Sequence, residues 1–131
     1  MVDFSDFSNI TDAELSLIPD GQHQFTIVSA KEQLTKTGKV VINIQATPTD
    51  GGLYFDLFHS IFLPSPEDTE KQNIVSKSNL KKFFAACGYE IPAGEFDLEE
   101  LIGQTFWAIT KTIPERDGYP AKTAIKQFVL E

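Results

Sequence analysis

At 131 residues with 41% hydrophobic side chains, the chain has the size and composition of one domain that buries its own core, which excludes a second domain of ordinary size. Its net charge of −8 weighs against a polyanionic partner for the chain as a whole, yet Asp3, Asp6, Asp12, Glu14 and Asp20 fall in residues 1–20, where there is no Lys or Arg, leaving −3 for the remainder. Cys87 is alone, no apolar run approaches the roughly 18 residues of a membrane span, and no charged-then-apolar leader follows Met1, so a soluble cytoplasmic protein without a disulfide or membrane contact is expected.

Residues 1–18 form an acidic N-terminal arm dotted with Phe4, Phe7, Ile10, Leu15, Leu17 and Ile18, expected to dock in part on the domain 19–131 that follows. The spacing of Ile10, Glu14, Leu17 and Ile18 allows a short helix capped by Thr11 or Asp12. Pro19-Asp20-Gly21 turns the chain into a first strand, Gln22 to Gln33, rich in β-formers at Phe25–Val28, and Lys36-Thr37-Gly38 supplies a hairpin turn. Lys39 to Thr47 alternates Val40, Ile42, Ile44 and Ala46 with Val41, Asn43, Gln45 and Thr47, the pattern of a strand with one buried face. After Asp50-Gly51-Gly52, a third strand from Leu53 to Leu63 places Leu53, Phe55 and Leu57 on one face and Tyr54, Asp56, Phe58 and Ser60 on the other.

Ser65-Pro66-Glu67-Asp68 carries the marks of a helix start: Ser as N-cap, Pro at the first helical position, and carboxylates at the positive end of the helix. The helix then runs through Ile74, Val75, Leu80, Phe83, Phe84 and Cys87 to Gly88, with the poor helix formers Ser76-Lys77-Ser78-Asn79 able to split it. Phe96 to Gly103 reads as one helical turn stopped by glycine. A fourth strand spans Thr105 to Thr112, Pro114 to Pro120 forms a turn-rich connection, and a fifth strand spans Lys122 to Val129, where Phe128 breaks the alternation.

Three strands, a helix and two strands give an all-β fold with one helical insertion, in the order of an OB-fold: a five-stranded antiparallel Greek-key barrel with its helix between strands three and four. Proteins of that fold bind oligonucleotides, oligosaccharides or other proteins, so the site has to be argued from its own residues.

The glycine-led Pro19–Ile27 strand, the Thr35–Gly38 turn, the helix end Leu80-Lys81-Lys82-Phe83-Phe84-Ala85-Ala86-Cys87-Gly88 and the Leu98–Gly103 segment together resemble a family of small phage and prophage proteins, largely uncharacterised. The resemblance spans roughly Pro19 to Phe128. It implies an OB-fold protein that binds single-stranded DNA among replication and recombination proteins of phage or host, in the host cytoplasm. It implies no catalytic residue.

Binding of single strands needs cations along the phosphates and flat side chains under the bases. On an OB-fold these belong on strands two and three and the loops joining strands one to two and four to five. Lys36 and Lys39 bracket the first of those loops; Arg116, Tyr119 and Lys122 lie in or beside the second. Tyr54 and Phe58 face outward if Leu53, Phe55 and Leu57 are buried, and are then covered by a base, by the arm or by a second subunit. Either Phe106 and Ala108 point inward with Trp107, Ile109 and Lys111 outward, or the reverse. Lys77, Lys81 and Lys82 read as the solvated side of the helix. His23 and His59 have no partner at metal-ligand spacing, no phosphate loop is present, and Cys87 reads as a small core residue, so no enzyme, metal or cofactor is expected. The competing expectation is an OB-fold protein–protein interaction module in a phage assembly or regulatory complex, with a homo-oligomer compatible with either. The acidic arm itself suggests a mimic of nucleic acid that shields a basic groove.

Overall fold

The computed structural model of the chain describes Asp3, residues 15–92 and residues 94–130. The short helix expected near Ile10 and the shielding role of the arm fall largely on residues 4–14, outside the described residues. Among the described residues, five strands form one antiparallel sheet: β1 (Gly21–Leu34), β2 (Val40–Pro48), β3 (Leu57–Phe62), β4 (Thr105–Ile113) and β5 (Lys122–Phe128). The helix α1 (Glu70–Ala86) and a short 3-10 turn (Leu98–Leu101) lie between β3 and β4, so the expected element order is present. No described helix is long and apolar enough to cross a membrane.

Hydrogen-bonded neighbours follow the order β3-β2-β1-β4-β5, which leaves β3 and β5 as the two edges of an open sheet. The edges nevertheless approach one another, with the rings of His59 and Phe128 5.6 Å apart between centroids. Because each adjacent pair is antiparallel, β3 and β5 run in the same direction along this seam. The curl that brings them together has an identifiable source. In β1 the buried positions are Phe25, Ile27 and then Ala30, an odd step at the bulge between Ile27 and Ser29, and a second bulge interrupts β4 against β5 at Ile109/Thr110. Each bulge adds local twist to a strand that would otherwise lie flatter.

Inside the curl, Ile42, Ile44 and Ala46 of β2 meet Leu57 and Ile61 of β3, as the alternation of β2 predicts. Aromatic rings occupy much of the rest of the core, beside Ile27, Leu101 and Ala108. Phe25 stacks on Phe106 at 5.4 Å, Phe83 sits edge-on to Phe106 and Phe128 at 6.3 and 5.7 Å, and Phe84 meets Phe96 at 5.5 Å. The stacked pair and the edge-to-face pairs together tie β1, β4, β5 and α1 into one unit. Phe128 breaks the alternation of β5 because the extra residue of the second bulge, Lys126, lies in β5 itself, where Gln127 pairs with Ile109 and Ile125 with Thr110. Ile18, fully buried, joins the same core, and Ser16 bridges Tyr54 through Ser16 N to Leu53 O and Phe55 N to Ser16 O, both 3.0 Å.

Two local expectations are corrected. The helix begins after Thr69, not at Ser65: the Thr69 hydroxyl accepts from Gln72 N at 3.1 Å while Gln72 Oε1 accepts from Thr69 N at 2.9 Å, a reciprocal capping box. Ser65–Asp68 forms a turn instead, held to the helix by Asn73, whose amide bonds both Ser65 N and Ser65 O at 2.9 Å. The helix also stays unbroken through Ser76–Asn79, since packing of Leu80, Phe83 and Phe84 on the core outweighs weak local propensity. At its other end Gly88, at φ 84°, makes the left-handed residue of a Schellman cap, with Gly88 N bonded to Ala85 O and Tyr89 N to Phe84 O.

The third strand is the other correction. It starts at Leu57, and Leu53 and Phe55 are exposed while Tyr54 is half-buried against the core. Between Tyr54 and Leu57 lies an odd number of steps, so the face set by Tyr54 is not continued by the period-two pattern.

Candidate nucleic-acid interface

Where β3 and β5 fail to pair, α1 crosses beside them and the three elements enclose an open groove of about 890 Å³. Its walls carry Lys39, Lys71, Lys82 and Lys126, four of the eleven cations of the chain, against one acid, Asp68. Lys71, Val75, Asn79 and Lys82 reach the groove because positions separated by four, four and three residues share one stripe of a helix. Lys126 comes from β5. Lys39, at the end of the β1–β2 hairpin, pairs with Asp68 at 2.7 Å, while Lys71, Lys82 and Lys126 form no ion pair among the described residues.

Flat side chains border this charge. Phe62 lines the groove and is 48% exposed; Phe58, on the same outward face of β3, is 68% exposed. His59 and Phe128 meet across the seam. Burial lowers the pKa of His59 below its ordinary value, so its imidazole stays neutral at neutral pH and the positive charge of the groove is that of its lysines. The outward face continuing from β3 to β1 is polar, with Ser60 Oγ donating to Asn43 Oδ1 at 2.6 Å, Asn43 donating to Gln33, and Gln45 donating to Asp56 at 2.7 Å.

The residues singled out from the sequence fall in separate places. Lys39 lines the groove and Phe58 stands beside it. Lys36 is exposed in the β1–β2 hairpin. Tyr54 packs on the core and bridges Ser16, which leaves its ring half-covered. Trp107 does point outward, at 45% exposure, with Phe106 and Ala108 buried, and Lys111 lies four residues on along the same face of β4. Arg116 and Tyr119 close the β4–β5 hairpin through paired backbone bonds of 3.0 and 2.8 Å. Its central residues Asp117 and Gly118 have φ of 50° and 83°, the tight turn whose twist suits a hairpin. Arg116 is exposed and 3.6 Å from Asp117, Tyr119 is exposed, and Lys122 opens β5 outside the groove.

Sequence reasoning missed Phe62, Lys71, Lys82 and Lys126. The helical spacing of Lys71 and Lys82 was a usable signal, but which flank of α1 met the seam depended on tertiary packing. Together α1 and β5 contribute three of the four lysines of the groove.

Other chemistry is sparse. Burial pushes the Cys87 thiol up to about 12, which keeps it protonated and unreactive. Among the described residues no three His, Cys, Asp or Glu gather in a way that could hold a metal ion. Compared with known proteins, the chain matches no protein-family model and no curated sequence.

Proposed function

We propose that the chain is a non-enzymatic single-stranded DNA-binding protein of the phage type, acting in replication or recombination, built on an OB-type Greek-key barrel. In this reading the ring of strands runs β1-β2-β3-β5-β4 and back to β1, and the unpaired β3–β5 seam is the binding cleft. The observation that supports it is the groove itself: on a chain of net charge −8, four lysines and Phe62 line one cleft that contains a single carboxylate. Lysines track phosphates as point charges, and exposed rings accept bases without regard to sequence. A duplex keeps its bases inside, so such a cleft favours single strands.

The test is fluorescence anisotropy of labelled oligo-dT, about 20 to 30 nucleotides long, with log affinity plotted against log salt. Three lysines without an ion pair among the described residues give an expected slope of about −2, at roughly 0.7 per neutralised phosphate, and duplex of equal length binds more weakly. Absence of binding at low salt contradicts the reading and favours the protein-interaction alternative, as does affinity that ignores salt.

A further inference from the structure

A second groove lies along the other flank of α1 and shares no lining residue with the first. It encloses about 660 Å³, its apolar floor includes Leu80, Phe84 and Phe96, and its rim carries Glu32, Glu95 and Asp97 with no Lys, Arg or His among the lining residues. The surrounding segment continues the sign: from Glu90 to Leu101 the chain has five carboxylates and no cation. Ile91, on the same lining, is exposed.

We propose that this groove docks a short basic amphipathic segment of a partner protein, lysine or arginine side chains meeting the rim and large apolar side chains entering the floor. Charge selects that occupant over the others. Phosphates are repelled by the rim. A second copy carries its clustered lysines on the walls of a groove, which cannot enter another groove, on a body of net charge −8, and the chain's own first 14 residues bring Asp3, Asp6, Asp12 and Glu14 with no Lys or Arg. A groove with apolar floor and charged rim is the form in which short linear segments are recognised, apolar anchors giving affinity and rim charges giving choice of partner. With cations on one flank of α1 and carboxylates on the other, the fold separates two surfaces of opposite sign.

The experiment uses the full chain and a fluorescein-labelled peptide in which Lys and Leu alternate, with Lys/Ser and Glu/Leu peptides as controls, read by anisotropy. The Lys/Leu peptide is expected to bind saturably and more tightly than both controls, with amide NMR shifts centred on Phe84 and Phe96. Glu32→Lys combined with Glu95→Lys is expected to weaken it by about tenfold, since two rim charges are reversed. Asp97 is left in place because its Oδ1 caps the 3-10 turn at Glu99 N, 3.0 Å away. Ile91→Ser, at an exposed position that leaves the core intact, is expected to weaken it by about threefold. Equal binding of the Lys/Ser or Glu/Leu peptide overturns the proposal. So does a charge-reversed variant, folded by circular dichroism, that binds the Lys/Leu peptide as the wild type does.

Discussion

Replacing Lys71, Lys82 and Lys126 together by alanine is expected to lower oligo-dT affinity by on the order of a hundredfold at low salt and to flatten the salt dependence by about 2 log units per log unit. The reasoning is electrostatic. These three lysines line the groove without ion pairs among the described residues, so each is free to displace a counterion from a phosphate, whereas Lys39 already faces Asp68 at 2.7 Å. Stability is expected to change little, because all three side chains are exposed. Anisotropy titrations at several salt concentrations check both numbers. The double variant Lys111→Ala with Lys122→Ala probes the β4–β5 face in the same way, and a larger loss there than in the triple variant moves the site away from the seam.

Phe83→Ala is expected to cost about 3 to 5 kcal/mol of folding stability. Phe83 is fully buried, and its ring lies edge-on to Phe84, Phe106 and Phe128, so its removal opens a cavity at the point where α1, β4 and β5 meet. Against a total stability of about 5 to 15 kcal/mol for a domain of this size, the variant sits near the edge of folding. Urea denaturation measures the change. A cost below about 1.5 kcal/mol would mean that the helix is not the keystone of the aromatic core. Phe83→Leu keeps most of the volume and is expected to fold well enough to show whether loosening the α1 contact also weakens oligo-dT binding.

The fold was legible in the chain to the extent that local physics decided it. Alternation fixed most of β2, with Ile42, Ile44 and Ala46 buried as read, although Val41, read on the open face, is buried and Val40 only half-buried, and the turn residues around Gly38 and Gly88 marked ends that the structure uses. The helix start misled because Ser65-Pro66 and Thr69-x-x-Gln72 both carry capping chemistry, and the contacts of Asn73 with Ser65, with the bond from Asp68 N to Ser65 O, hold the first as a turn. The face of Tyr54 was unreadable for another reason: the irregular stretch before Leu57 adds an odd step that no periodicity announces.

The site was less legible than the fold. Loop lysines stood out by their position in hairpins, as Lys36 did, while the groove draws on a helix stripe and on β5, brought together by the bulges that curl the sheet. Phe62 sat in the third strand with the same outward parity as Phe58, and nothing local told which of the two would stand at a seam. Long-range packing of β3, β5 and α1, not composition, gathers these residues.

The most direct measurement is a titration of the protein with oligo-dT followed residue by residue by amide NMR, with Trp107 emission recorded alongside. Trp107 lies on the outward face of β4 and is not among the residues that line the seam, so its emission reports on a surface other than the groove walls. Binding in the cleft predicts shifts concentrated at Phe62, Lys71, Lys82, Lys126 and Phe128 with little change in tryptophan emission. Strong quenching of Trp107 with shifts centred on Lys111 and Tyr119, and none at the seam, would contradict it.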